Sequence, residues 1–108
     1  MDLTQKICVA CKGGIPPLTL DEIKPYMESL KTPWELIENN TKIRHLYKFE
    51  DFKEAMIFVN KVAEIANHEG HHPDIFIHYN KVTIELYTHA IGGLHENDFI
   101  VAAKIEQL

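Results

Sequence analysis

The chain has 108 residues, 45% of them hydrophobic and 25% charged, with eleven basic against sixteen acidic side chains and a formal net charge of −5. That length suits one domain with one core. The acidic balance argues against electrostatic capture of nucleic acid or an anionic membrane, which needs clustered Lys and Arg. No apolar run approaches a bilayer span. The opening stretch, MDLTQKICVACKGG, lacks the basic-then-apolar pattern of a secretory signal, so a cytoplasmic protein is expected.

Residues 1–18 read as an extended or mobile N-terminal segment ahead of a single domain. Cys8 and Cys11 form a C-x-x-C, but KGGIPP follows instead of a helix, so the dipole that would lower a thiol pKa is missing. Two thiolates are also too few for a structural zinc unless two chains or the histidines contribute. From Thr19, TLDE is a capping box in which the threonine hydroxyl and the Glu22 carboxylate each serve the other's backbone N–H. Ile23, Met27 and Leu30 then recur at helical spacing to about Lys31, with Pro25 expected to kink or loosen the early turns. Trp34 and Leu36 alternate with polar neighbours, Asn39-Asn40 turns the chain, and Ile43, His45, Tyr47 and Phe49 form the inner face of a second strand. Phe52, Ala55, Met56, Val59, Val62, Ala63 and Ala66 carry the strongest helical period, which Gly70 and Pro73 end.

A second hairpin follows. Ile75 to His78 is a strand, Tyr79-Asn80 turns, and Lys81 to Thr88 places Val82, Ile84 and Leu86 on one face. Lys81, Thr83, Glu85 and Tyr87 occupy the other, open face. A last helix runs from about Glu96. The order α-β-β-α-β-β-α defines an α+β fold, a four-stranded antiparallel sheet with helices packed on one face. The last helix is apolar nearly all round, from Phe99 through Ile105 to Leu108, which predicts packing against another subunit.

Three histidines, His68, His71 and His72, fall within five positions in NHEGHHPDI. Pro73 pushes His72 into extended backbone, so the adjacent imidazoles diverge and take different jobs. His89, in YTHAIGG, lies just past the last strand, and Asp98 in the first turn of the last helix can orient an imidazole. Imidazole gives a proton in one step and accepts one in the next near neutrality. Converging imidazoles without a nucleophile suit an elimination, hydration or isomerisation. The chain has no phosphate-cradling glycine loop and no serine on a sharp strand-to-helix turn. On the residues alone, an acid–base site and a metal site both remain open.

GHHPDI, YNKVTIELYTHAIGGL and ENDFIVAAKIEQ, with PPLTLDEI, WEL and FEDFKEAMIFVNKVAEIA before them, resemble the pterin-4a-carbinolamine dehydratases over nearly the whole chain. The resemblance implies dehydration of 4a-hydroxytetrahydropterin, released by aromatic amino-acid hydroxylases, to quinonoid dihydropterin and water. It implies that His71 and His89 are the acid–base pair and that His72 assists or binds substrate. Pro73 then shapes the pocket, Thr88, Ala90 and Ile91 line it, and Asp98 steadies a histidine or the pterin. It further implies no metal or organic cofactor, a pterin as the small-molecule partner, and a homodimer or homotetramer.

Two departures accompany the resemblance. Asn67 stands where many members carry glutamate, and it cannot ionise. Glu69 is not expected to replace that charge. His95 stands where Ser or Thr caps the last helix in many members, so slightly weaker capping is expected. Two other readings are a non-enzymatic metal protein using His68, His71, His72 and His89, and a pterin-binding or partner-docking protein of another pathway, for example one linked to molybdopterin.

Overall fold

A computed structural model describes residues 1–10 and 13–108. Thr19 caps helix α1 (Leu20–Ser29), which carries Pro25 inside it and ends two residues short of the expected boundary. Strands β1 (Glu35–Ile37) and β2 (Lys42–Lys48) form the first hairpin, and Glu38, Asn39 and Asn40 all adopt positive φ in its turn. Helix α2 (Phe52–Glu69) starts on an Asp51 cap and stops at Gly70, whose φ of 67° is the left-handed conformation that favours glycine at a helix end. Strands β3 (Asp74–His78) and β4 (Lys81–Leu86) form the second hairpin, and helix α3 (Glu96–Ile105) closes the chain.

The sheet is antiparallel throughout, in the order β1-β2-β4-β3. Ile43, Val82, Ile84 and Leu86 are fully buried on its inner face, while Glu35, Arg44, Thr83 and Glu85 stand on the other. This is the α+β fold expected from the order of elements. In α2 the buried seam is Ala55, Phe58, Val62 and Ala66. Phe58 packs on Tyr47 and Phe49 at 4.6 and 5.0 Å between ring centroids, whereas Phe52, expected inside, is 49% exposed. The first-turn phenylalanine is half exposed, and the one six residues later meets aromatic partners.

Helix α3 corrects an expectation. Its apolar surface is covered by its own chain, with Ile100, Val101, Ala102 and Ile105 at no more than 1% exposed, so it is not a face awaiting a second subunit. Tyr26 of α1 stacks on Phe99 at 4.9 Å, α2 flanks the helix, and a 3-10 turn at Leu3–Gln5 lies over it with Leu3 buried. The cover includes the N-terminal residues, which were expected to be extended or mobile. They are extended in part, but they are also tied down. Asn97 exchanges two hydrogen bonds with the backbone of Val9, accepting at 3.1 Å and donating at 2.6 Å, and Lys6 donates to Glu96 at 2.9 Å.

The topology decides where the site falls. Asp74 pairs with Glu85, so the start of β3 lies beside the end of β4. Continuing that antiparallel count sets residues 71–73 across from residues 86–88. Beyond β4 the chain makes a closed turn: Thr88 and Gly93 form an isolated bridge around a 3-10 turn at His89–Ile91. Gly93 is required there because a Cβ would sit 2.6 Å from the Cβ of Pro17. Gly93→Ala is therefore expected to destabilise the protein by roughly 1–3 kcal/mol through overpacking. Urea denaturation measures this, and an unchanged midpoint would refute it.

Candidate active site

His71, His72 and His89 line one open cleft of about 250 Å³, together with Thr88 and Ala90. A larger depression of about 660 Å³ lies between the N-terminus and the end of α3, but no histidine lines it. The smaller cleft is the one that carries proton-transfer groups. Pro73 and Ile91, expected to shape and line the pocket, do not border the cleft. Pro73 leads into β3, and Ile91 closes the 3-10 turn with its N–H donating to the Thr88 carbonyl at 3.2 Å.

Each imidazole has one nitrogen engaged by a different kind of partner. His71, whose side chain is 12% exposed, donates from Nε2 to Asp98 Oδ1 at 2.6 Å. A carboxylate only accepts, so the proton of the neutral ring sits on Nε2 and Nδ1 keeps its lone pair. Asp98 is completely buried, and its Oδ2 accepts from the Thr88 hydroxyl at 2.8 Å and the His95 N–H at 3.0 Å. Its bonds to these donors offset the desolvation of a buried charge. Thr88 borders the cleft, but its hydroxyl is committed to Asp98, so it supports the site from behind.

His72 is exposed and donates from Nε2 to Asn67 Oδ1 at 3.0 Å. Asn67 therefore orients this ring as an acceptor without adding charge. Glu69 faces elsewhere, as expected. The third imidazole, His89, meets the hydroxyl of Tyr87 at Nδ1. His68 lies outside this group. It is 81% exposed and paired with Glu69 at 3.2 Å, and among the described residues no cluster of three His, Cys, Asp or Glu can hold a metal ion. His68 therefore does not join the other three imidazoles at the cleft.

Tyr87, Val9, Gly70 and Asn97 also border the cleft, and none of them was expected there. A signal existed for Tyr87, since residues two apart at a strand end face the same way and 87 precedes 89 by two. Nothing local marks Val9 or Asn97, whose contact spans 88 positions. At its helix end His95 keeps the capping role, Nδ1 accepting from the Asn97 N–H at 3.0 Å.

Cys8 is the described half of the C-x-x-C; Cys11 lies outside the described residues. Burial, and then the neighbouring Glu69 carboxylate, push the Cys8 thiol up to about 12, which makes it a poor nucleophile. Glu69 itself accepts from the Cys8 N–H at 2.9 Å and from Lys104 at 2.8 Å.

Similarity to known proteins agrees with this geometry. The profile of the family described as pterin 4 alpha carbinolamine dehydratase matches residues 16–108. The chain belongs to that family, which is one of hydro-lyases. It is 48% identical to a protein of Methylococcus capsulatus provisionally named pterin-4-alpha-carbinolamine dehydratase, over 98% of this chain and 92% of the relative. A protein of Nitrosomonas europaea with the same provisional name is 43% identical over 99% of this chain and 93% of its own. The fold also matches the crystal structure of a transcriptional coactivator/pterin dehydratase from Brucella melitensis, with a TM-score of 0.78 and 32% identity, covering 84% of this chain and 96% of that one. Among the described residues, no helix is long and apolar enough to cross a membrane.

The Glu69 cluster sets an acid limb of stability. Burial alone would raise this carboxyl, but Lys104, the Cys8 N–H and His68 outweigh it and bring it from 4.5 down to about 2. A depressed folded-state value means the stabilisation is fully present above the ordinary carboxyl range and lost as pH falls through the folded value. Glu69→Gln is expected to flatten denaturation free energy across that acid window. Equal slopes for variant and wild type would contradict it.

Proposed function

We propose that the protein dehydrates 4a-hydroxytetrahydropterin to quinonoid dihydropterin and water, with imidazoles as acid and base. The observation that carries this reading is the convergence of His71, His72 and His89 on one cleft in a chain of the dehydratase family. The substrate is the product of tetrahydropterin-dependent aromatic hydroxylation, and its recycling is the role we assign. Assembly as a homodimer or homotetramer belongs to the same reading, through surfaces other than α3.

Loss of water across the C4a–N5 bond needs one proton delivered to the departing hydroxyl oxygen and one taken from N5. His71 is the base. Its Nε2–H is held by Asp98, its Nδ1 lone pair has no partner among the described residues, and the carboxylate stabilises the imidazolium that forms, as in a catalytic triad. His89 is the acid: Nδ1 is engaged by Tyr87, leaving Nε2 to protonate the leaving hydroxyl. The C4a–O bond then breaks, the N5–H electrons become the C4a=N5 bond, and water departs. His89 is exposed, so solvent exchange restores its proton. His72, held by Asn67, offers Nδ1 to a polar edge of the bicycle. Two imidazoles supply both proton transfers, so the chemistry asks for no metal or organic cofactor.

With freshly generated 4a-hydroxytetrahydropterin, His71→Ala and His89→Ala are each expected to lose roughly a hundredfold or more in kcat/KM. A double variant as fast as wild type would remove both roles. The wild-type profile of kcat/KM against pH is expected to be bell-shaped, with limbs within about two units of neutrality. A flat profile across that span would overturn paired imidazole catalysis.

A further inference from the structure

We propose that Tyr87 is a positioning residue for His89, its phenol anchoring Nδ1 so that Nε2 is the nitrogen presented to substrate. This rests on the reading of His89 as proton donor. His89 sits on an exposed 3-10 turn, where an imidazole would otherwise sample several rotamers. The Tyr87 hydroxyl is the only hydrogen-bond partner of its ring among the described residues, and the two rings lie 5.1 Å apart at 57°.

The anchor is itself held from behind. Lys42 of β2 places its ammonium 4.6 Å from the centre of the Tyr87 ring, a cation–π contact that seats the phenol against β4. Lys42 is fixed in turn by Glu38 at 3.3 Å and Glu85 at 3.7 Å. The chain of contacts therefore runs from two strands to the imidazole.

The chemistry of the anchor matters as much as its position. Asp98, which holds His71, can only accept and so favours a ring that has gained a proton. A phenol oxygen accepts from Nδ1–H of the imidazolium and still accepts from Nδ1–H of the neutral ring left once Nε2 has given up its proton. Tyr87 can therefore keep His89 aligned before and after it releases its proton, where a carboxylate would oppose the release. The two imidazoles have unlike anchors, and the difference matches a base at 71 and an acid at 89.

Tyr87→Phe separates this role from simple lining of the cleft, because it keeps the ring and removes only the hydroxyl. In the full-length protein with ¹⁵N-labelled histidine, long-range proton–nitrogen correlation reads the state of each imidazole nitrogen. The expected result is a changed Nδ1 signal and an altered tautomer balance at His89, with His71 unaffected. The accompanying loss in kcat is roughly ten- to a hundredfold, with KM changed by less than about twofold. Unchanged His89 signals in an active protein would overturn the anchor while leaving the dehydratase reading intact. Altered signals with full kcat would overturn the catalytic importance of the anchor. A wild type inert toward the 4a-hydroxy substrate would sink the functional reading and this positioning role with it, whatever the nitrogen signals show.

Discussion

A single buried carboxylate joins the fold to the cleft. Asp98 accepts from His71 after α2, from Thr88 after β4 and from the backbone of His95 at the start of α3. A charge removed from water is tolerated only when donors surround it, so these segments cannot separate without exposing an unpaired acceptor. The first turn of α3 adds the favourable end of its helix dipole. The same contact that caps the helix thus sets the direction of the His71 ring, and stability and chemistry share one group.

The burial of α3 makes this arrangement possible. A helix end that frayed would let Asp98 reach water and release His71. The N-terminal residues prevent that by laying Leu3 over the helix and pairing Val9 with the Asn97 amide. That pairing gives the cleft one of its walls, since both residues border it. Glu69, nearby, holds Cys8 and Lys104 together and is kept ionised by them. Residues that looked like a loose leader are part of the site's support.

Within the cleft, residue type says less than the partner. His71, His72 and His89 are chemically identical, yet a carboxylate, an amide oxygen and a phenol hold them. A carboxylate stabilises added charge, an amide oxygen orients without charge, and a phenol accommodates either state. One fold thus builds three different environments around one kind of side chain, the arrangement on which the proposed division into acid and base rests. Asn67, an amide, orients His72 without adding charge.

The amino-acid sequence by itself determined the elements, because caps, turn residues and the two hydrophobic periods are local signals: Thr19, Asp51, Gly70 and Asn39-Asn40 each do in the structure what their chemistry dictates. It also marked His71, His72, His89 and Asp98 as a group, through residue type and family resemblance. Only the tertiary structure decided what covers α3, since apolar periodicity is the same whether the neighbour is another subunit or the chain's own first residues. It alone decided which nitrogen of each imidazole is occupied, that the Thr88 hydroxyl is committed to Asp98, and that Pro73 and Ile91 lie off the cleft. Those outcomes depend on contacts such as His71 with Asp98, 27 positions apart, and Val9 with Asn97, 88 apart. A local pattern carries no record of such pairs, because they exist only after the sheet register and helix packing have brought distant segments together.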